Sequence, residues 1–192
     1  MQKTSYYIIN GITIYRLVAS FILLFLILIG NVSLFKWFLA LSFFTDSIDG
    51  YLARKYKVSS IMGAKLDSIA DDGTVLMGVI GAYVFKFDFM KEVTPLLLIL
   101  FAFFLLQIIT AFIKYGKPSS FHTYLAKASA IFQGSFLILL FFLNNPPYFL
   151  FYLAFTCTLL DLVEEIILVR MLPEWKTNVR GIYWVWKQRH NH

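Results

Sequence analysis

Six apolar runs, each about as long as a hydrocarbon core is thick, leave this chain few possible architectures. They fall at roughly 9–30, 33–54, 66–87, 94–115, 124–144 and 147–171. A helix needs about 20 apolar residues to cross a bilayer, and a chain in lipid must satisfy its own backbone polar groups. With 59% hydrophobic residues and a mean hydropathy of +0.73, the chain is too apolar for an ordinary soluble domain. The expected fold is an all-α integral membrane protein, a six-transmembrane-helix bundle with short amphipathic terminal segments. Residues 1–192 should form a single membrane domain. No repeat or low-complexity tract breaks it, and the first run reads as a retained helix rather than a cleaved signal.

Charge placement orients the bundle. Lys3, Arg54, Lys55, Lys57, Lys65, Lys114, Lys117, Lys127, Arg170, Lys176, Arg180, Lys187 and Arg189 fall at the N-terminus, the second and fourth connectors and the tail. Lys36, Lys86 and Lys91 fall on the other side. The positive-inside rule then puts both termini in the cytoplasm. The expected connectors are Gly30-Asn31, Lys55–Lys65, Phe87–Val93, Gly116–Thr123 and Asn144–Pro147. The tail 172–192 interleaves Trp175, Tyr183, Trp184 and Trp186 with basic residues, as a segment lying on an anionic inner surface would. The single cysteine, Cys157, excludes a disulfide within the chain.

Against this background four aspartates stand out. Asp46 and Asp49 are three apart, Asp67 and Asp71 four apart. On helices each pair shares one face. A carboxylate in or near a bilayer is costly, so four of them call for a purpose. Two facing pairs would gather carboxylate oxygens suited to a hard cation such as Mg²⁺ or Mn²⁺. A structural ion-pair network with Arg54 and Lys65 would leave excess negative charge, which is poor design for one.

The string Asp46-x2-Asp49-Gly50-x2-Ala53-Arg54-x8-Gly63-x3-Asp67-x3-Asp71 resembles the signature of the CDP-alcohol phosphotransferase family at all its specified positions. The opening Asn10-x2-Thr13-x2-Arg16 is similar to that of bacterial phosphatidylglycerophosphate-synthase-like members. Asp72 departs from those members, which usually carry Lys there. The charge-based orientation puts this motif, and so the expected active site, at the cytoplasmic face. A CDP-linked substrate there would call for two divalent cations, Mg²⁺ or Mn²⁺. The resemblance implies a homodimer. It implies a membrane enzyme of phospholipid biosynthesis. Asp46 and Asp67 would bridge both cations, Asp49 completing one and Asp71 the other. Asp71 would also act as base toward the acceptor hydroxyl.

The substrate-binding set follows from the same resemblance and from side-chain chemistry. Arg54 offers a planar fork for a phosphate oxygen. Gly50 and Gly63 remove side chains where backbones approach a ligand or each other, and Ala53 nearly so. Asn10 and Thr13 are implied to help hold the CDP group, with Ser60 a further pyrophosphate contact. Lys117, His122 and Lys127, in or beside one connector, are candidates for the acceptor's phosphate or the lipid phosphate. Asp161, Glu164 and Glu165 form a second acidic group, better read as pairing with Arg170 or tail cations than as a second metal site.

The expected reaction transfers a phosphatidyl group from CDP-diacylglycerol to an alcohol with release of CMP. Glycerol 3-phosphate is the first choice of acceptor, with inositol phosphate, serine or another alcohol as alternatives. A divalent-cation carrier is the distant alternative, disfavoured because carriers usually show repeated halves. The partners are these substrates and the lipid bilayer, with no nucleic acid. The expected location is the bacterial inner membrane.

Overall fold

In a computed structural model, the described residues are 18–56, 61–119, 121, 123–176 and 179–190, with 46–56, 61–72 and 188–190 described by backbone alone. Among them every regular element is an α-helix. They are α1 (Val18–Leu28), α2 (Val32–Tyr56), α3 (Ile61–Phe85), α4 (Phe87–Tyr115), α5 (Tyr124–Phe142), α6 (Tyr148–Met171) and α7 (Ile182–His190). Helices α4 and α5 are long and apolar enough to cross a membrane. The apolar stretches Val18–Leu28, Val32–Thr45 and Gly73–Phe85 are shorter, and α6 carries three carboxylates.

Local chemistry sets the helix ends. Gly30 adopts φ 72°, and the Asn31 amide reaches back to the Leu26 carbonyl at 3.0 Å, closing α1 in a left-handed turn. Asn31 then accepts the Leu34 amide on its side-chain oxygen at 3.0 Å and so caps α2. Thr123 does the same for α5, its hydroxyl oxygen accepting the Ala126 amide at 3.0 Å. Gly116, at φ 68°, terminates α4.

One expected connector is absent. Phe87–Val93 is helical, and the break between α3 and α4 shrinks to Lys86. Asp88 in the first turn suits a helix N-terminus. Pro95, already within the expected run 94–115, sits inside α4, a position that membrane-type helices tolerate. Lys86 instead caps α5. Its ammonium donates to the carbonyls of Leu143 (3.1 Å) and Asn144 (3.5 Å), just past the end of that helix.

The chain divides into two compact units. The first comprises residues 1–91 and 137–145. Here α2 packs on α3 through Phe35 and Leu39, both fully buried. The Phe35 ring lies where Gly81 leaves space, and edges onto Phe85 and Phe141 at centroid distances of 5.4 and 4.9 Å. Leu39 and Leu137 line Gly78. Small residues thus admit large rings, the usual basis of helix contact where lipid supplies no hydrophobic drive.

The second unit comprises residues 92–136 and 146–192. Its apolar core joins Ala111, Phe121, Leu168, Val169, Leu172, Val179 and Val185. The tail therefore does not only lie at a surface. Val179 and Val185 fold back into this core, while Tyr183, Trp184 and Trp186 stay exposed.

Candidate active site

The motif falls on the α2–α3 helix pair. Asp46, Asp49, Gly50, Ala53 and Arg54 lie in α2, and Gly63, Asp67 and Asp71 in α3, where the backbone alone is described. Helical register puts positions 46 and 49 on one side of α2, and positions 67 and 71 on one side of α3. The two helices run antiparallel, Phe35 meeting Gly81 and Leu39 meeting Gly78. Continued unchanged along the two helices, that register would bring position 46 level with 71, position 49 level with 67, and position 53 level with 63, acidic positions beside acidic positions.

The donor chemistry fits a hard divalent cation. The motif supplies carboxylate oxygens and no sulfur or imidazole. Among the described side chains no group of three or more His, Cys, Asp or Glu could hold a metal ion. The carboxylates of Asp46, Asp49, Asp67 and Asp71 lie outside those described side chains, as does the Arg54 guanidinium. Asn10, Thr13, Ser60 and His122 lie outside the described residues altogether.

Of the cationic candidates, Lys117 and Lys127 are described, and both are exposed. The Lys117 ammonium sits 3.7 Å from the centroid of the Trp175 ring, and that of Lys127 lies 5.5 Å from the Tyr124 centroid. Each cation is thus held over an aromatic face, with donors left for an anion.

The second acidic group is organised differently from the expected pairing with Arg170 or tail cations. Glu165 accepts hydrogen bonds from Gln107 (2.7 Å) and Ser119 (2.9 Å), and Gln107 also donates to Ser119. Asp161 accepts from Thr123 (3.5 Å) and Ser129 (3.4 Å). Glu164 accepts the backbone amide of Ile182 at 3.1 Å, giving α7 an N-terminal carboxylate borrowed from α6. Among the described side chains these partners are neutral donors, with Gln107, Thr123 and Ser129 buried beside the carboxylates and Arg170 exposed. Reading the sequence missed Gln107, Ser119, Thr123 and Ser129. The available signal was Gln107 itself, an amide amid Leu105, Leu106, Ile108 and Ile109.

A family model described as CDP-alcohol phosphatidyltransferase matches residues 6–167. A protein of Rickettsia typhi named CDP-diacylglycerol–glycerol-3-phosphate 3-phosphatidyltransferase is 34% identical over 163 residues, covering 83% of this chain and 85% of its own. Its namesake from Rickettsia prowazekii is 34% identical over 163 residues, covering 83% of both chains. The same name belongs to a Rickettsia bellii protein that is 36% identical over 124 residues, or 65% of this chain and 62% of its own. No solved structure matches the chain.

Proposed function

The chain belongs to the CDP-alcohol phosphatidyltransferase family, and from that premise we propose that it transfers a phosphatidyl group from CDP-diacylglycerol to glycerol 3-phosphate, releasing CMP. The observation that carries this reading is the family match over residues 6–167, and the spacing of the motif's acidic positions along α2 and α3 supports it. The names of the Rickettsia relatives support the acceptor. Lys117 and Lys127, exposed in or beside the α4–α5 connector, supply the cationic chemistry that a phosphorylated acceptor needs.

In this reading the acceptor hydroxyl attacks the phosphatidyl phosphorus. A new P–O bond forms as the bond to the CMP oxygen breaks. Asp71 takes the hydroxyl proton, and Arg54 holds a phosphate oxygen of the donor with its fork. Gly50, Ala53 and Gly63 leave room for the nucleotide, with Asn10, Thr13 and Ser60 as further contacts. Asp46, Asp49, Asp67 and Asp71 would hold two Mg²⁺ or Mn²⁺ ions, which offset the pyrophosphate charge and make CMP a better leaving group.

The proposal extends to a six-span homodimer in the bacterial inner membrane, both termini cytoplasmic. A cysteine placed at Lys57 should label only from the cytoplasm, and one at Asp88 only from outside; labelling of both from one side refutes this topology. The functional test is purified protein in detergent with radiolabelled CDP-diacylglycerol. Glycerol 3-phosphate, inositol phosphate and serine are offered in parallel, with and without a chelator. A lipid product from glycerol 3-phosphate, lost in chelator and restored by Mg²⁺ or Mn²⁺, is expected. Product only with another alcohol would reassign the acceptor, and CMP release in excess chelator would remove the metals.

A further inference from the structure

At one end of the second unit, outward apolar side chains give way to outward cations within a single turn on each of three helices. On α4, Ile113 is 82% exposed and its neighbour Lys114 is exposed too. On α5, Lys127 stands one turn before Ile131, which is 67% exposed. On α6, exposed Ile167 is followed one turn later by exposed Arg170. Outward apolar groups belong in hydrocarbon, and outward cations belong in water or among headgroups. The change therefore marks the edge of a bilayer. At the opposite end of α4 the charges of Lys91 and Glu92 balance, and Glu92 accepts the Tyr148 hydroxyl at 2.7 Å.

The tail adds to the cationic end, and it does so as a folded piece. Lys176, Arg180 and Lys187 are exposed, as are the rings of Tyr183, Trp184 and Trp186. Glu174 is the one exposed carboxylate among the described residues of the tail. Trp175 donates its indole N–H to the Pro118 carbonyl at 3.0 Å. The Tyr124 amide donates to the Arg180 carbonyl at 3.3 Å, with the Tyr124 and Trp184 rings 5.3 Å apart. Val179 and Val185 are buried on either side of Arg180 in the chain, and Ile182 donates its amide to Glu164. Gly181 adopts φ 145°, and a Cβ there would lie 3.0 Å from a Glu164 carboxylate oxygen, so this turn is open only to glycine.

We propose that this end of the second unit is a docking surface for anionic phospholipid headgroups, with Arg180 and Lys187 supplying charge to lipid phosphates and Trp184 and Trp186 seated among the headgroups. Exposed cations with a single carboxylate set against them complement an anionic leaflet. Exposed tryptophan rings beside them suit the headgroup layer, which takes a ring with one wet end. Cations on a folded frame reach that layer without the ordering cost of a loose basic arm. The apolar neighbours one turn away, Ile113 and Ile131, need lipid beside them, which favours a bilayer over a second protein as the occupant. This surface stands apart from the transfer chemistry, because its partners are the lipids around the protein.

The test uses the full chain with Trp37→Phe, so that the remaining tryptophans are Trp175, Trp184 and Trp186. The protein sits in phosphatidylcholine nanodiscs. Brominated phosphatidylglycerol or brominated phosphatidylcholine is added at rising mole fraction, and quenching of tryptophan fluorescence is read. Half-maximal quenching should need about tenfold less of the anionic lipid, since each cation near the surface favours it by about fivefold. Arg180→Gln and Lys187→Gln should each raise that mole fraction about threefold to fivefold for phosphatidylglycerol and leave the phosphatidylcholine curve in place. Gly181→Ala keeps every charge but dislodges the tail, so it should erase most of the preference. Equal curves for the two lipids in the parent overturn the proposal. So does a full preference in Gly181→Ala, which would make the tail a loose basic arm. Should Gly181→Ala fail to fold, the two glutamine variants decide, and an unchanged preference in both overturns the proposal.

Discussion

Phe35 fills the space that Gly81 leaves between α2 and α3, whereas Gln107, Ser119 and Glu165 join α4, its following connector and α6 through hydrogen bonds. The first contact is steric and unforgiving, because the ring is fixed by Phe85 and Phe141 on its edges. The second is polar and adjustable, because hydroxyls rotate and amides offer two donors. The steric contact suits a helix pair whose far halves carry acidic positions in register. A small change in helix separation would move those positions together or apart. The polar web ties the connector to α4 and α6 without close packing.

The largest expected effect tests whether the steric pair exists to serve chemistry. Asp71→Asn should lower turnover about 10²- to 10⁴-fold while donor binding stays measurable, as removal of a general base does. Asp46→Asn and Asp67→Asn should lose donor binding as well, since each would help hold the cations that offset the donor's pyrophosphate charge. CDP-diacylglycerol binding and CMP release, measured side by side, separate the two classes. Near-normal turnover in Asp71→Asn would leave α2–α3 without its proposed base.

Helix existence in both regions was legible from apolar run length alone. The run 124–144 anticipates Tyr124–Phe142, and 147–171 anticipates Tyr148–Met171. The start of α4 was not legible, because Asp88, Lys91 and Glu92 mimic a polar connector, and only the chain fold shows Lys86 capping another helix. The motif positions were legible for the opposite reason to the polar web. Spacing along one helix is written in the sequence, so Asp46, Asp49, Asp67 and Asp71 announce their own faces. Glu165 meets Gln107 from 58 residues away, and no local pattern encodes such a meeting.

The next effect probes the steric contact directly. Gly81→Ala should destabilise the detergent-solubilised protein by about 2–3 kcal/mol, since its Cβ meets a ring with nowhere to go. Gly78→Ala should cost less, because the nearest atom is the flexible end of Leu137 at 3.1 Å. Thermal unfolding of the two variants ranks them. A larger loss at Gly78 would show that Phe35 is not the rigid member of the pair.

A smaller change is expected from Glu165→Gln in the polar web. The glutamine keeps a carbonyl acceptor for Gln107 and Ser119 but loses the charge that strengthens both bonds, so about 1 kcal/mol should go. Glu165→Ala leaves both donors unanswered and should cost about 1–3 kcal/mol. Equal losses in the two variants would mean that the charge, rather than the acceptor, holds the connector.

The smallest effects come from two threonines on α6 that differ in one respect. Thr156 and Thr158 both donate to a carbonyl four residues back, Tyr152 and Ala154, each at 2.8 Å. Such bonds duplicate what the helix already provides and contribute little. Thr158 also accepts the Gln133 side-chain amide at 2.6 Å, a bond between α5 and α6, while Thr156 is exposed. Cross-helix bonds of this kind in membrane proteins average about 0.6 kcal/mol. Thr158→Val should therefore cost about that much, plus a share for the stranded Gln133 amide, whereas Thr156→Val should stay within about 0.5 kcal/mol of the parent. A double variant with Gln133→Leu isolates the shared bond, because removing both partners should recover most of the Thr158→Val loss. If the two valine variants unfold at the same temperature, the bond between Gln133 and Thr158 adds nothing, and the second unit rests on its apolar core and carboxylate contacts alone.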